Sequence, residues 1–121
     1  MLRHLVLATP LVFSLTACGG GDKKADPSVA EANKIYTERC ETCHGKTGKG
    51  DGSGAASLDP KPRSFSNPNW QKKTNDDRIK KVIVEGGKPN GLSEAMAPNP
   101  DLEGKPEVLA ALVKKIRRFA Q

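Results

Sequence analysis

Aromatic side chains are scarce in this chain: three Phe, one Trp and one Tyr in 121 residues. With hydrophobic residues at only 36%, a domain this small has little apolar surface to bury, and such domains lean on disulfides, a metal or a cofactor. Cysteine is equally sparse, and three cysteines cannot form a disulfide framework without leaving one over. No uncharged run reaches the roughly 20 residues of a spanning helix, which excludes a polytopic membrane protein. The length leaves no room for a multidomain enzyme or a repeat array. Charged residues make up 28% with both signs interspersed, and apolar periodicity is present, so wholesale disorder is excluded too. Something other than protein completes this core.

What is present begins with an address. Arg3 gives a short positive start, and Leu5 to Ala17 follows without charge, rich in Leu and Val. This pattern predicts a secretory signal peptide over residues 1–17. Leu15-Thr16-Ala17-Cys18 resembles the bacterial lipobox, which implies lipidation of Cys18 as the new first residue; the competing reading is an ordinary signal peptide with an incidental Cys18. Each buried CH₂ contributes about 0.8 kcal/mol, so several acyl chains would hold the domain at a membrane. Gly19 stands where an Asp would resemble an inner-membrane retention signal, which favours the outer membrane. Residues 18–27, ending in the polar run GGGDKKADP, read as a flexible tether. The folded domain is expected over 28–121. Removal of Arg3 takes the formal net charge from +6 to +5 and leaves His44 and Met96 as the mature chain's single histidine and single methionine.

Cys40-Glu41-Thr42-Cys43-His44 carries the chemistry. Val29, Ala32, Ile35, Tyr36 and Arg39 recur at helical spacing after a cap at Asp26 or Ser28 and a first-turn Pro27. If that helix continues, Cys40, Cys43 and His44 stand at i, i+3 and i+4 on one face, two thiols beside two vinyl groups of a porphyrin with the imidazole under its iron. C-x-x-C-H is the attachment signature of c-type haem. Three other readings compete. A structural zinc site needs four ligands, and no second Cys or His pair exists. A thioredoxin-like dithiol expects a βαβ setting, whereas strand signals are almost absent. A Cys40–Cys43 disulfide would close a very tight loop and leave His44 unexplained.

The stretch CETCHGKTGKGDGSGAASLDPKPRSF, followed by Trp70 and Met96, resembles a small class I monohaem cytochrome c over residues 28–121. The resemblance implies an all-α fold, three to four helices around one covalently bound haem c, with the terminal helices crossing. It implies Cys40 and Cys43 as thioether sites, His44 as proximal ligand and Met96 as distal ligand. Met96 sits in a Pro/Gly loop with no apolar period around it, poorly explained as core packing, and a thioether opposite imidazole raises the haem potential; Lys88 is the nearest substitute in that loop. Arg63 and Trp70 suit haem propionates, the alternatives being a solvated Arg and a core Trp. Phe65 reads as pocket wall. The glycines at 48, 50, 52 and 54 suit close backbone approach to the haem; without a Gly-Lys-Ser/Thr they are not a phosphate loop. The chain departs from its relatives in three places. Met96-Ala97-Pro98 replaces Met-Pro. Ser53 replaces a proline, so the acceptor for the proximal histidine's second nitrogen is expected among the carbonyls of Ser53 to Pro60. Ala32 stands at the usual helix-crossing glycine, which implies a looser contact.

A helix is expected from a capping-box-like Thr74-Asn75-Asp76-Asp77, with Ile79, Val82 and Ile83 inward and Gly86-Gly87 as its stop. Another opens at Pro106 with Leu109, Leu112, Val113, Ile116 and Phe119 on one side, Phe119 meeting Tyr36. Lys46, Lys49, Lys61 and Arg63 flank the haem segment, and Lys72, Lys73, Lys80 and Lys81 follow. This field suits an acidic extracytoplasmic redox partner. Lys114, Lys115, Arg117 and Arg118 read as a solvated face or a contact for anionic headgroups. Nucleic acid is not expected as a partner, and the chain is expected to be monomeric. The leading function is a membrane-tethered single-electron carrier with no catalytic residues. One rival is a five-coordinate haem protein that binds gas or reduces peroxide, kept open by the Met96-Ala97-Pro98 departure. Another is a haem-free thiol oxidoreductase using Cys40 and Cys43.

Overall fold

The computed structural model describes residues 24–121; the expected signal peptide, Cys18 and most of the expected tether lie outside the described residues. Helix α1 (Pro27–Ile35) starts where two local signals agree. The Asp26 carboxylate accepts the Ser28 N–H at 2.9 Å, and Pro27 occupies the first turn, where a missing N–H costs nothing. The chain does not leave helical geometry at Ile35. It passes through one π-turn (Tyr36–Cys40) into α2 (Glu41–His44), with the Glu41 N–H donating to the Tyr36 carbonyl.

That π-turn corrects the expected periodicity. A five-residue turn holds one residue more than α geometry allows and shifts the following face by one position. The inward stripe of Ala32, Ile35 and Tyr36 therefore passes to Cys40, which packs on the core, while Arg39 turns out to solvent. Val29, also assigned to the stripe, is 39% exposed.

Helix α3 (Pro68–Lys73) was not expected from the sequence, although its start is encoded locally: Asn67 accepts the N–H groups of Asn69 and Trp70, with Pro68 in the first turn. Helix α4 (Asp76–Glu85) begins one residue later than a Thr74 cap would place it. Asn75 is the cap, accepting the Arg78 N–H at 2.8 Å, and Asp76 and Asp77 favour the positive end of the helix dipole. Gly86 ends it at φ 80°. Two 3-10 turns follow, Lys88–Asn90 and Pro100–Leu102, and α5 (Pro106–Arg118) closes the chain. Among the described residues there is no strand. The all-α expectation holds, as four helical stretches when α1, the π-turn and α2 are taken as one.

The core forms where α1 crosses α5, with Ala32, Ile35 and Tyr36 in one cluster with Leu109, Leu112, Val113 and Ile116. Ile79, Ile83 and Leu102 extend it. Each such side chain contributes about 1.5–3 kcal/mol when fully buried. Ala32 is 1% exposed, its methyl fully enclosed in the crossing. Tyr36 and Phe119 meet as expected, ring centroids 5.3 Å apart.

The basic end of α5 is not a uniform solvated face. Arg117 reaches back over the α3–α4 junction, donating to the Gln71 carbonyl (2.8 Å), the Thr74 carbonyl (2.6 Å) and the Asp76 carboxylate (2.7 Å). Lys115 lies over the Tyr36 ring at 5.0 Å and donates to Asn33. Lys114 and Arg118 are exposed. Arg117→Gln is expected to destabilise the haem-bearing protein by about 1–3 kcal/mol, because two inter-element carbonyls lose their donor. Lys114→Gln is expected to change stability by less than about 0.5 kcal/mol. Denaturant midpoints of the two variants check this contrast.

Candidate functional site

The last four carbonyls of a helix have no intrahelical donors. Gly45, the C-cap of α2, closes the last intrahelical bond to Glu41 (2.8 Å), and each of the four carbonyls beyond it is taken by a glycine N–H of the following loop: Gly54 donates to Thr42 (2.8 Å), Gly52 to Cys43 (3.2 Å), Gly50 to His44 (2.8 Å) and Gly48 to Gly45 (3.1 Å). Glycine is required for this wrapping. A Cβ on Gly52 would fall onto the carbonyl oxygens of Glu41 and Thr42, and Gly50 adopts φ +77° with its open side against the Pro62 carbonyl. Within the chain these glycines allow close approach to the backbone of the cysteine–histidine turn, to Pro62 and, at Gly48, to the Phe119 ring.

Tyr36 reinforces the wrapping from below, its hydroxyl donating to the Gly45 carbonyl at 2.8 Å. Lys61 closes the far bend by donating to the Ala55 and Ala56 carbonyls at 3.0 and 2.7 Å, so it is not a free surface charge. The segment then returns past the turn, held by the Phe65 N–H on the Gly48 carbonyl at 2.6 Å.

This return brings the Arg63 carbonyl to 3.0 Å from His44 Nδ1. The expected acceptor lay between Ser53 and Pro60. Those residues are spent on the bend, whose turns run Gly52 to Ala55 and Ala55 to Leu58, and the segment passes His44 only after Lys61. A carbonyl can only accept, so Nδ1 carries the proton and Nε2 keeps a lone pair available for a metal. The imidazole stacks on Phe65, centroids 4.4 Å apart and planes 15° from parallel. Burial lowers the His44 pKa, with the Arg63 carbonyl opposing; the neutral, ligand-competent ring is favoured.

Cys40 and Cys43 are unpaired and half-buried. Burial pushes the Cys40 thiol up to about 11, with Arg39 opposing and Cys43 adding to the rise. Reactive dithiols show the reverse, a thiol depressed toward neutrality, so nothing here favours the oxidoreductase reading. Among the described residues no three His, Cys, Asp or Glu side chains converge as a protein-only metal site, which leaves a zinc reading without ligands. Two free thiols and an imidazole with Nε2 spare, all on one rigid turn, fit a covalently attached haem.

The other predicted residues stand apart from this turn. Met96 is half-buried in the loop after α4, its carbonyl accepting the Gly87 N–H at 2.9 Å. It lines a cavity of about 730 Å³ with Glu85, Gly87, Lys88, Glu94 and Pro98, to which the Cys40–His44 turn contributes no residue. The Arg63 side chain is exposed; its contribution to His44 is a backbone atom. Trp70 is half-buried and tilts against Phe65, centroids 5.3 Å apart. Cys18 lies outside the described residues. The sequence analysis missed Tyr36 as a donor to the turn and Phe65 as the histidine's stacking partner. The sequence suggests packing for Tyr36 and a pocket wall for Phe65, and only their long-range neighbours reveal the second role.

Comparison with known proteins agrees with this geometry. The family model for Cytochrome c matches residues 29–117. A solved structure, the KustC0563 c-type cytochrome, superposes with a TM-score of 0.52 at 36% sequence identity, covering 73% of this chain and 95% of that one. No curated protein matches the chain.

The wrapping itself is testable. Gly52→Ala is expected to destabilise the protein by about 1–3 kcal/mol through overpacking against the turn. Gly104 has nothing within 4 Å of an added Cβ, so Gly104→Ala is expected to be neutral or to stabilise by up to about 1 kcal/mol. Chemical unfolding of both haem-bearing variants measures the difference.

Proposed function

The chain belongs to the cytochrome c family, and from that premise we propose that it is a membrane-tethered carrier of single electrons between extracytoplasmic redox proteins, with His44 and Met96 as axial ligands of its one haem. Membership makes it a haem c electron-transfer protein, with Cys40-x-x-Cys43-His44 as the attachment motif. The axial pair, the tether and the choice of partner are our own reading.

When bound, haem c supplies the Fe(II)/Fe(III) couple. The rest falls to the chain's own residues. Cys40 and Cys43 would hold the porphyrin through thioether bonds. His44 presents Nε2 because Arg63 holds Nδ1–H, the single observation that carries this reading. That hydrogen bond also raises the basicity of the imidazole. Met96 offers the soft thioether that favours ferrous iron. Arg63 and Trp70 are assigned to the propionates through their guanidinium and indole N–H groups.

The turn that carries the proximal side is capped at every terminal carbonyl, which suits an iron that changes charge with little rearrangement. Lys46, Lys49, Lys72, Lys73 and Lys81 are exposed and suit docking on an acidic protein surface, with association slowing as salt rises. Lys80 is engaged with Asp77 at 3.6 Å. No described helix is long and apolar enough to cross a membrane. A lipid at Cys18 would supply the attachment.

Visible spectra of the exported, haem-matured protein test the reading. We expect a sharp reduced α-band, and in the oxidised state a weak far-red thioether-to-iron band that Met96→Ala removes. A haem spectrum lacking that band in the parent protein would replace Met96 and favour an open iron that binds gas or peroxide. Absence of haem would overturn the reading altogether.

A further inference from the structure

The loop that carries Met96 runs from Gly86 to Asn99, and its two ends are tied down by different arginines. At the near end Arg78, on α4, donates to the Asn90 side-chain oxygen and to the Asn90 carbonyl, both at 2.7 Å. Asn90 in turn donates to the Gly86 carbonyl at 2.9 Å. This end is fastened to its own helix and says nothing about the cysteine–histidine turn.

The far end is different. Asn99 hangs the loop on the last turn of α4, its side-chain amide donating to the Ile83 carbonyl at 3.0 Å and its backbone N–H to the Ile83 and Val84 carbonyls. The Asn99 side-chain oxygen faces the other way and accepts from Arg39 Nη1 at 3.2 Å. The same nitrogen meets both carboxylate oxygens of Asp101, at 2.9 and 3.0 Å. Arg39 is the residue before Cys40 and lies some sixty positions from both partners. It reaches them because the π-turn that places Cys40 inward turns Arg39 outward.

We infer that Arg39 is a positioning residue for the Met96 loop: it joins the cysteine–histidine turn to Asn99 and Asp101 and so holds the Met96 side of the site closed over the iron. The inference rests on Met96 being the distal ligand. The contact spans the two halves that must face each other across a bound haem, and among the described residues no other side-chain hydrogen bond joins them. An external ligand reaches the iron only when Met96 swings off, so its apparent affinity is reduced by the fraction of time the loop is open. An exposed ion pair alone is worth little. Here one guanidinium nitrogen is shared by both carboxylate oxygens and the Asn99 amide oxygen, and the upper end of that range corresponds to about a five-fold change in the open fraction.

Imidazole binding to the oxidised, haem-bearing protein provides the readout. Arg39→Gln and Asp101→Asn are each expected to raise the imidazole association constant about five-fold, and the double variant no further, since both break one link. Lys105→Gln is the control. It removes an ion pair of similar exposure, Lys105–Glu31 at 2.6 Å, between the terminal helices and with no side-chain bond to residues 86–99 or Asp101, and is expected to leave imidazole affinity unchanged. Asp101→Asn does not alter the neighbourhood of Cys40, so it remains informative if Arg39→Gln matures poorly. If both variants bind imidazole as the parent does while its far-red band still depends on Met96, the Arg39 inference is overturned and the axial assignment stands. If the parent has no Met96-dependent band, the axial assignment has failed and the inference fails with it. A rise of equal size in Lys105→Gln would reduce the effect to general loosening and would likewise overturn it.

Discussion

Four carbonyl oxygens at the end of α2 set the terms for the whole site. The turn that carries Cys40, Cys43 and His44 is also a helix terminus, and a helix terminus covered by chain must find donors for its last carbonyls. The protein solves this with four glycine N–H groups from one loop. A side chain at Gly52 would collide with the oxygens at the helix end, and one at Gly50 with the returning segment at Pro62. Once the loop is committed to that wrapping, its bend and return follow, and the return delivers the Arg63 carbonyl to His44 Nδ1. Ring orientation, and with it the availability of Nε2, is thus a consequence of capping.

A second constraint operates upstream. The helix from Pro27 must keep Ala32, Ile35 and Tyr36 against α5 and still bring Cys40 inside. Regular α geometry would bury Arg39 in its place. One π-turn reconciles the two demands, and π-turns of this kind recur at functional sites. Tyr36 opens that turn and serves both sides of it, packing on Phe119 and donating to Gly45. The crossing of the terminal helices and the geometry of the haem turn are therefore coupled through one residue.

How much of this the sequence discloses depends on range. Caps, proline starts and glycine stops act over four residues, and Asp26, Gly86 and Pro106 mark real helix ends. The Cys40-x-x-Cys43-His44 spacing is equally local, so the attachment motif is legible without a fold. Asn67-Pro68 carries the same kind of signal, with no apolar stripe behind it to mark a helix. The π-turn is invisible to periodicity, since one extra residue leaves composition unchanged and only shifts the face. The Arg63 carbonyl and the Arg117 clamp are invisible for another reason. One is a backbone atom any residue could supply, and the other joins positions about forty residues apart. Charge counting failed at Arg117 and Lys61 for that reason; a cation's partners, and not its sign, decide whether it meets solvent.

The central claim is that His44 keeps its proton on Nδ1, held by the Arg63 carbonyl, with Nε2 given to the iron. A long-range ¹H–¹⁵N spectrum of the imidazole in the reduced, haem-bearing protein tests it most directly. The account predicts one protonated ring nitrogen, Nδ1, its proton hydrogen-bonded to the Arg63 carbonyl. A proton on Nε2, or an Nδ1 that carries none, would contradict it.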